Sequence, residues 1–181
     1  MRIVVKRYGR KEVQVTEKTA LDILKNAILL EKRGKAFYSK VANDTPSQAV
    51  KRFFSMMADE EENHIKILSD QFKSYLENNK FRAGNYDNRR ASNLTAGILS
   101  QEIKEQISVA DFEAAAISAA MAMEKNAVRL YSQRAEAAQD PDEKSLYRWL
   151  AEWEHQHLSF LVDIDRRLTE AIWYDNSFWP F

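Results

Sequence analysis

The chain has 181 residues, enough for one domain with a sizeable core, and its 27 basic and 27 acidic residues give a net charge of zero. A neutral molecule has no overall field to attract nucleic acid or an anionic membrane, so we expect neither as a partner. The chain contains no cysteine, which excludes disulfides, thiolate catalysis and thiolate-bound metal and leaves oxygen and nitrogen atoms as the available metal ligands.

The first 18 residues have a different pattern from the rest of the chain. Branched apolar residues occur over residues 3–5 and 13–15, on either side of Gly9, which is typical of a short hairpin or an extended arm. The chain does not open with the apolar core of a signal peptide, and its longest apolar stretch, residues 114–123, is too short to span a bilayer. We therefore expect an N-terminal arm over residues 1–18 on a cytoplasmic protein.

Long helices are predicted for the rest of the chain, because it contains only 4 glycines and 3 prolines. Apolar residues at helical spacing predict helix one over residues 19–43, and Thr45-Pro46 ends it. The same spacing predicts helix two over residues 47–77. A long polar connection follows, with a short helix predicted near residues 98–107.

Two further helices are predicted after this connection. Helix three begins at Ser108-x-x-Asp111, which resembles a capping box, and ends before Asp140. Helix four follows as far as about residue 168. Two helical hairpins joined by one long connection predict an all-α, ferritin-like four-helix bundle over residues 19–172.

An internal repeat relates the two halves of the predicted bundle. Shifting the chain by 93 positions without a gap gives twelve identities over residues 27–70, where composition alone gives roughly three. The shift pairs Glu31 with Glu124, Tyr38 with Tyr131, Glu61 with Glu154 and His64 with His157. Two helix pairs related in this way are expected to pack about a pseudo-twofold axis.

Six polar side chains of this repeat fall on the apolar faces of the predicted helices. Helices one and three each carry one glutamate, and helices two and four each carry a Glu-x-x-His pair, whose spacing places both side chains on one face. The predicted metal ligands are Glu31, Glu61, His64, Glu124, Glu154 and His157. Four carboxylates balance the charge of two divalent cations, and a bundle with this ligand set is used for paired iron or manganese ions.

Buried salt bridges are the alternative explanation for these charges, but the apolar faces carry no matching lysine or arginine. Unpaired burial of the whole set would cost several kcal/mol for each charge, which favours the metal site. Glu152 and His155 have the same Glu-x-x-His spacing, but Glu152 shares a face with Arg148 and lies outside the 93-residue register. We therefore predict that this second pair is exposed to solvent.

Aromatic residues lie close to the predicted ligands. Tyr38 and Tyr131 follow the glutamates of helices one and three by two turns on the same faces. We expect their hydroxyl groups to hydrogen-bond ligating carboxylates, and electron donation by these tyrosines is the less favoured alternative. Trp149 and Trp153 are predicted to pack in the core.

These motifs resemble those of the rubrerythrin family, within the ferritin-like superfamily, over about residues 19–172. The segments that carry the resemblance are residues 27–38, 58–64, 120–131 and 150–157. The resemblance implies that the six predicted ligands hold two iron ions in a non-haem centre, with manganese or another divalent metal as the alternative. It also implies an enzyme that reduces hydrogen peroxide or oxygen.

Two departures from the family bear on this function. Rubrerythrins proper carry a four-cysteine rubredoxin domain, so this chain is expected to use an external electron donor such as a separate rubredoxin or a flavoprotein. They also carry a further glutamate three residues after the helix-three ligand, where this chain has Ala127, matched by Gly34 in the first half. The two small residues predict a pocket beside the metals that admits peroxide.

Without the family's further glutamate, the predicted set of six ligands is similar to bacterioferritin-like ferroxidase centres. An iron-handling ferroxidase or storage protein is therefore the main alternative to the peroxidase. A non-catalytic helical module that metal stabilises is the other alternative.

The ends of the chain are expected to mediate association. Five of the last nine residues are aromatic, and a tail of this composition is not expected to stay in water. We expect residues 173–181 to dock on the bundle or on a second subunit, and we predict a homodimer that uses at least one terminus.

Overall fold

The computed structural model describes residues 3–8, 11–16, 19–84 and 111–174. Its first element is a two-stranded antiparallel sheet of β1 (Ile3–Tyr8) and β2 (Lys11–Thr16). Ile3 lies opposite Thr16 and Tyr8 lies opposite Lys11. The segment predicted as a hairpin or an extended arm is thus an antiparallel strand pair.

Four helices form the rest of the secondary structure in the described residues, and the predicted all-α four-helix bundle is confirmed. They are α1 (Ala20–Asp44), α2 (Gln48–Asn78), α3 (Asp111–Ala137) and α4 (Pro141–Tyr174). Helix α1 packs along α2, and α3 packs along α4, which gives the two hairpins that the sequence predicts. None of the described helices combines the length and apolar character that crossing a membrane requires.

Local side-chain bonds fix where the helices begin. Thr19 caps α1 through a reciprocal pair of hydrogen bonds with Asp22. The Asp140 carboxylate accepts hydrogen bonds from the backbone N–H groups of Asp142 and Glu143 at 2.8 and 3.1 Å. Pro141 takes the first position of α4, where no backbone N–H is needed. The predicted stop after helix three is therefore also the start of α4.

Some sequence predictions fall outside the described residues. These are the cap at Ser108, the short helix near residues 98–107 and the tail from residue 175 onward. Helix α4 includes Trp173 and Tyr174, the first two residues of the segment that the sequence assigns to the tail.

Two clusters of buried apolar side chains lie along the bundle. One cluster joins the end of α1 and the beginning of α2 to the second hairpin, and it includes Phe53 and Phe160, whose ring centroids are 5.2 Å apart. The other cluster joins the opposite ends of the same helices and includes Leu24, Leu68 and Leu150. The buried glutamates and histidines occupy the level between the two clusters.

Candidate metal centre

Six polar side chains are buried at mid-height of the bundle, each with an exposed fraction of 5% or less. They are Glu31 of α1, Glu61 and His64 of α2, Glu124 of α3, and Glu154 and His157 of α4. The sequence predicts these same six residues as metal ligands, and the structure brings all of them together. The spacing of three residues on α2 and α4 directs each Glu and His pair to one face.

The six side chains form two overlapping groups. Glu31, Glu61, His64 and Glu154 offer ligand atoms that all lie within 4.8 Å of one another, and Glu61, Glu124, Glu154 and His157 do the same. We call the first group the Glu31 position and the second group the Glu124 position. Because Glu61 and Glu154 belong to both groups, these two carboxylates are placed to bridge a pair of ions.

Each histidine turns its Nδ1 atom toward the carboxylates. His64 Nδ1 lies 2.9 Å from Glu154 Oε1 and 3.4 Å from Glu31 Oε2. His157 Nδ1 lies 3.5 Å from Glu154 Oε2 and 3.6 Å from Glu124 Oε1. In both positions, Nδ1 is therefore the ring nitrogen that is placed to bind an ion.

Several polar atoms at the centre of this cluster have no hydrogen-bond partner among the described residues. They are Glu61 Oε2, both carboxylate oxygens of Glu154, and His157 Nδ1. Buried polar atoms without partners are rare in proteins, and a cation among them would remove the cost of leaving them unpaired. Carboxylate oxygens and imidazole nitrogens suit iron and manganese, so the residues fit the metal pair that the sequence predicts.

Protonation of the cluster is set by burial and by its own charges. Burial first, and then the charge of Glu154, raises the pKa of Glu31, Glu61 and Glu124. Burial alone would also raise the pKa of Glu154, but the charge of the neighbouring His64 holds it well below its usual range. Burial opposes the charged form of His64, yet the charge of Glu154 raises that pKa. Metal binding must therefore displace protons.

Two buried tyrosines connect the hairpins at this cluster. Tyr38 of α1 donates a hydrogen bond to Glu124 of α3, and Tyr131 of α3 donates one to Glu31 of α1. Burial, and then the charge of Glu124, raises the pKa of Tyr38, so its hydroxyl keeps the proton that it donates. The sequence predicts bonds from these tyrosines to ligating carboxylates, and the structure adds that each bond crosses to the opposite hairpin.

A small cavity lies beside the cluster, between α1 and α3. Its lining includes Gly34, Ala127 and Met123, and its volume is about 10 Å³. This volume is about the minimum that one water molecule needs. The pocket predicted at the two small residues therefore exists, but peroxide, with two oxygen atoms, would need a local movement to enter it.

Glycine at residue 34 allows a close approach between α1 and the Glu61 side chain of α2. A Cβ atom added to Gly34 would lie 3.1 Å from both Cδ and Oε1 of Glu61. That separation is tight, so Glu61 would have to move by a few tenths of an ångström. Because Glu61 is common to both ligand groups, a side chain at residue 34 would disturb both positions.

Gly34→Ala should therefore stabilise the metal-free protein and weaken its binding of metal. Alanine is favoured over glycine inside a helix by about 1 kcal/mol, and Glu61 can move aside while no ion holds it. Calorimetric melting of the metal-free protein and metal titration measure the two effects separately. Ala127→Gly, the matched change in α3, should lower the melting temperature with little loss of affinity. Unchanged affinity in Gly34→Ala would contradict the role given to this glycine.

Sequence reasoning missed one contact of the site, because it assigned Trp153 only to packing. The indole N–H of Trp153 donates to His157 Nε2 at 3.0 Å, and its ring meets that of His64 edge to face. Trp153 and His157 are four residues apart on one helix, and this spacing was the available signal. Burial opposes the imidazolium form of His157, while the nearby carboxylates of Glu124 and Glu154 raise its pKa.

The second Glu-x-x-His pair of α4 lies elsewhere. Glu152 and His155 are both exposed and line a groove between α3 and α4 on the outer face of the hairpin. Neither residue belongs to the two buried ligand groups found in the described residues.

Comparison with known proteins agrees with this geometry. The sequence model of the rubrerythrin family matches residues 22–164, a region that contains both ligand groups and most of the four helices. No curated protein and no solved structure shows a significant match to the chain. The family match covers well over half of the chain and includes every residue of the buried cluster. The chain therefore belongs to the rubrerythrin family.

Proposed function

We propose that the protein is a non-haem di-iron oxidoreductase of the rubrerythrin type that reduces hydrogen peroxide with electrons from a donor outside the chain. The observation that carries this function is the pair of ligand groups that share Glu61 and Glu154. One ion held for structural reasons would need only one such group, and structural metal sites are usually closed by their ligands. Bound iron would supply two electrons and polarise the O–O bond of a peroxide.

The chain's own residues would hold and orient the two ions. Glu31 with His64, and Glu124 with His157, would each serve one ion, and the shared carboxylates would serve both. The tyrosine hydroxyls fix one oxygen of each outer glutamate, which holds that carboxylate in a single orientation. Because these carboxylates are held in one orientation, they leave one side of the site uncovered. The cavity between α1 and α3 lies on that side.

The surroundings of the cavity favour a very small substrate. Leu30 and Met123 line it together with ligand carboxylates, and its volume of about 10 Å³ would need a small local movement to admit peroxide and a much larger one to admit an organic molecule. Reduction of hydrogen peroxide to two waters consumes two electrons and two protons. The chain has no cysteine and therefore no thiolate-bound iron of its own, which supports an external electron donor such as a rubredoxin or a flavoprotein.

An iron-handling ferroxidase or storage protein is the second candidate. The symmetric set of six ligands favours it, because Gly34 and Ala127 supply no further carboxylate beside the outer glutamates. Such a protein would oxidise Fe(II) beyond the pair and retain or pass on the product. A non-catalytic module that metal stabilises is the third candidate, and it would be inert toward oxidants.

Rapid mixing of the Fe(II)-loaded protein with oxidants separates the three candidates. We expect one fast two-electron oxidation of each iron pair by peroxide, a slower reaction with oxygen, and no further turnover until electrons are added. Stopped-flow absorbance and peroxide consumption measure these steps. Ala127→Leu adds more volume than the cavity of about 10 Å³ holds and should close it, which should slow the peroxide reaction more than it lowers metal content.

Two other results of this experiment would reject the peroxidase function. Steady oxidation and retention of Fe(II) beyond two ions for each chain would establish the iron-handling function instead. A pair that resists both oxidants, in a protein whose melting temperature rises with metal, would establish the non-catalytic module.

A further inference from the structure

The cavity beside the candidate metal centre has a distinct outer boundary. Nine described residues line it, and seven of these are buried. Leu30 of α1 and Met123 of α3 are the other two, and both are half-buried. Because these two side chains are partly exposed while the rest of the lining lies inside the bundle, they stand between solvent and the cavity. We call Leu30 and Met123 the mouth of the cavity.

The two sides of the mouth differ in their reactivity toward peroxide. The 93-residue shift pairs Leu30 with Met123, just as it pairs Glu31 with Glu124. A leucine side chain is a saturated hydrocarbon that peroxide leaves intact, whereas the thioether sulfur of methionine is readily oxidised. The α3 side of the mouth therefore carries a group that peroxide can modify, and the α1 side carries an inert group at the matching position.

The other methionines of the described residues lie in different surroundings. Met57 is buried, with an exposed fraction of 1%. Met56 and Met121 are half-buried like Met123, but they pack against the apolar cluster that includes Phe53, and neither lines the cavity. Exposure alone would make these three half-buried methionines similarly reactive. The position beside the cavity is what distinguishes Met123.

We propose that Met123 is a modification site: hydrogen peroxide that enters the cavity converts it to methionine sulfoxide, which closes the cavity to further peroxide. This inference rests on the proposed function, which brings peroxide to the cavity. In the modification, the O–O bond of peroxide breaks and an S–O bond forms on the Met123 sulfur. The sulfur is oxidised by two electrons, peroxide is reduced by the same two electrons, and one water leaves. The step therefore needs no other reductant.

The sulfoxide would change both the size and the polarity of the mouth. Oxidation turns a flexible apolar side chain into a polar one that carries an additional oxygen atom. The cavity has a volume of about 10 Å³, close to the minimum for one water molecule, so one oxygen atom at its edge is enough to fill it. Before oxidation, the three rotatable bonds of Met123 allow the local movement that peroxide needs. Excess peroxide would therefore slow its own reduction.

Peptide mass spectrometry after timed additions of hydrogen peroxide to the iron-loaded protein tests the modification. In the absence of an electron donor, we expect the sulfoxide of Met123 to form several times faster than those of Met56 and Met121. Met57 should be the slowest of the four to react, because it is buried. Met123→Leu should leave the rates of oxidation at Met56 and Met121 unchanged.

The rate of peroxide reduction with an added electron donor tests the closure, and each protein is compared with its own rate before exposure to peroxide. The wild type should lose most of its rate as the Met123 sulfoxide accumulates. Met123→Leu, which fits a methionine site and cannot form a sulfoxide, should keep most of its own rate. Met121→Leu is the matched control and should lose its rate as the wild type does. Met123→Gln, whose amide oxygen is also polar, should be slow before any exposure.

Two outcomes would overturn this inference. Oxidation of Met123 no faster than that of Met56 and Met121 would show that the cavity does not direct peroxide to it. An equal loss of rate in the wild type and in Met123→Leu would show that the sulfoxide does not close the cavity. Both outcomes leave the proposed function intact, because the starting rate of the wild type measures that function separately. A wild type without any starting rate would overturn the proposed function, whereas preferential oxidation of Met123 in that protein would still support the modification site.

Discussion

Glu61→Gln and Glu154→Gln should each remove nearly all bound metal, whereas Glu31→Gln and Glu124→Gln should each remove about one ion of the two. The difference follows from the geometry, because the shared carboxylates belong to both ligand groups and each outer glutamate belongs to one. Glutamine keeps the shape of the side chain and removes its charge, so the core stays filled. Metal analysis of each purified variant by plasma mass spectrometry gives the number of ions for each chain.

Glu152→Gln and His155→Gln are matched controls for this series. They alter the same residue types at the same spacing on α4, but on its exposed face, and they should retain full metal. Circular dichroism should show that the metal-free variants of Glu31, Glu61 and Glu124 remain folded, since a neutral amide relieves repulsion among the buried carboxylates. Metal-free Glu154→Gln should melt at a lower temperature, because it removes the charge that lies beside His64. Equal loss of metal in the controls and in Glu61→Gln would show that the buried groups are not the binding site.

Removal of the metal should lower the melting temperature, and the loss should grow as the pH is raised. Without metal, the protein keeps four glutamates buried in one cluster, where unpaired charge costs several kcal/mol. Bound cations would compensate that charge at every pH at which they remain bound. Melting curves with metal and with a chelator, recorded from mildly acidic to mildly alkaline pH, measure the difference.

The sign of this pH dependence follows from the pKa shifts of the metal-free protein. Glu31, Glu61 and Glu124 have raised pKa values, so their protons stabilise the fold below the usual glutamate range, and this stability is lost as the pH rises through the raised values. The raised pKa of His64 acts in the same direction. Glu154, with its lowered pKa, stabilises the fold above its usual range and loses that effect only in acid. A gap between the two melting curves that does not change with pH would contradict this account.

The four helices and their pairing were predictable because the spacing of apolar residues along each long segment shows which face of the helix is buried. The burial of the six residues of the candidate site was predictable for a second reason, since the repeat with a 93-residue shift selects these glutamates and histidines from the many others in the chain. Glu152 shows the value of that register, because spacing alone would have admitted it. Helix periodicity predicted the fold, and the repeat together with that periodicity selected the residues of the candidate site.

Contacts between helices could not be predicted in the same way. Periodicity shows the face on which Tyr38 lies, but not that its hydroxyl reaches Glu124 of the other hairpin. It also does not show which carboxylates are shared, because that depends on how deeply each helix sits in the bundle. The cavity proved smaller than the small residues at 34 and 127 suggested, since neighbouring side chains such as Met123 close around it.

The unequal division of the candidate ligands between the two hairpins affects the stability of the bundle. Each position draws three ligands from one hairpin and a single carboxylate, Glu61 or Glu154, from the other. A bound pair would therefore act as a cross-link between two glutamates that are 93 positions apart, in a chain that has no cysteine to form a covalent one. A cross-link closing a loop of this length is worth about 4 to 5 kcal/mol in chain entropy. The stability of the packing between the two hairpins would then depend on the supply of metal.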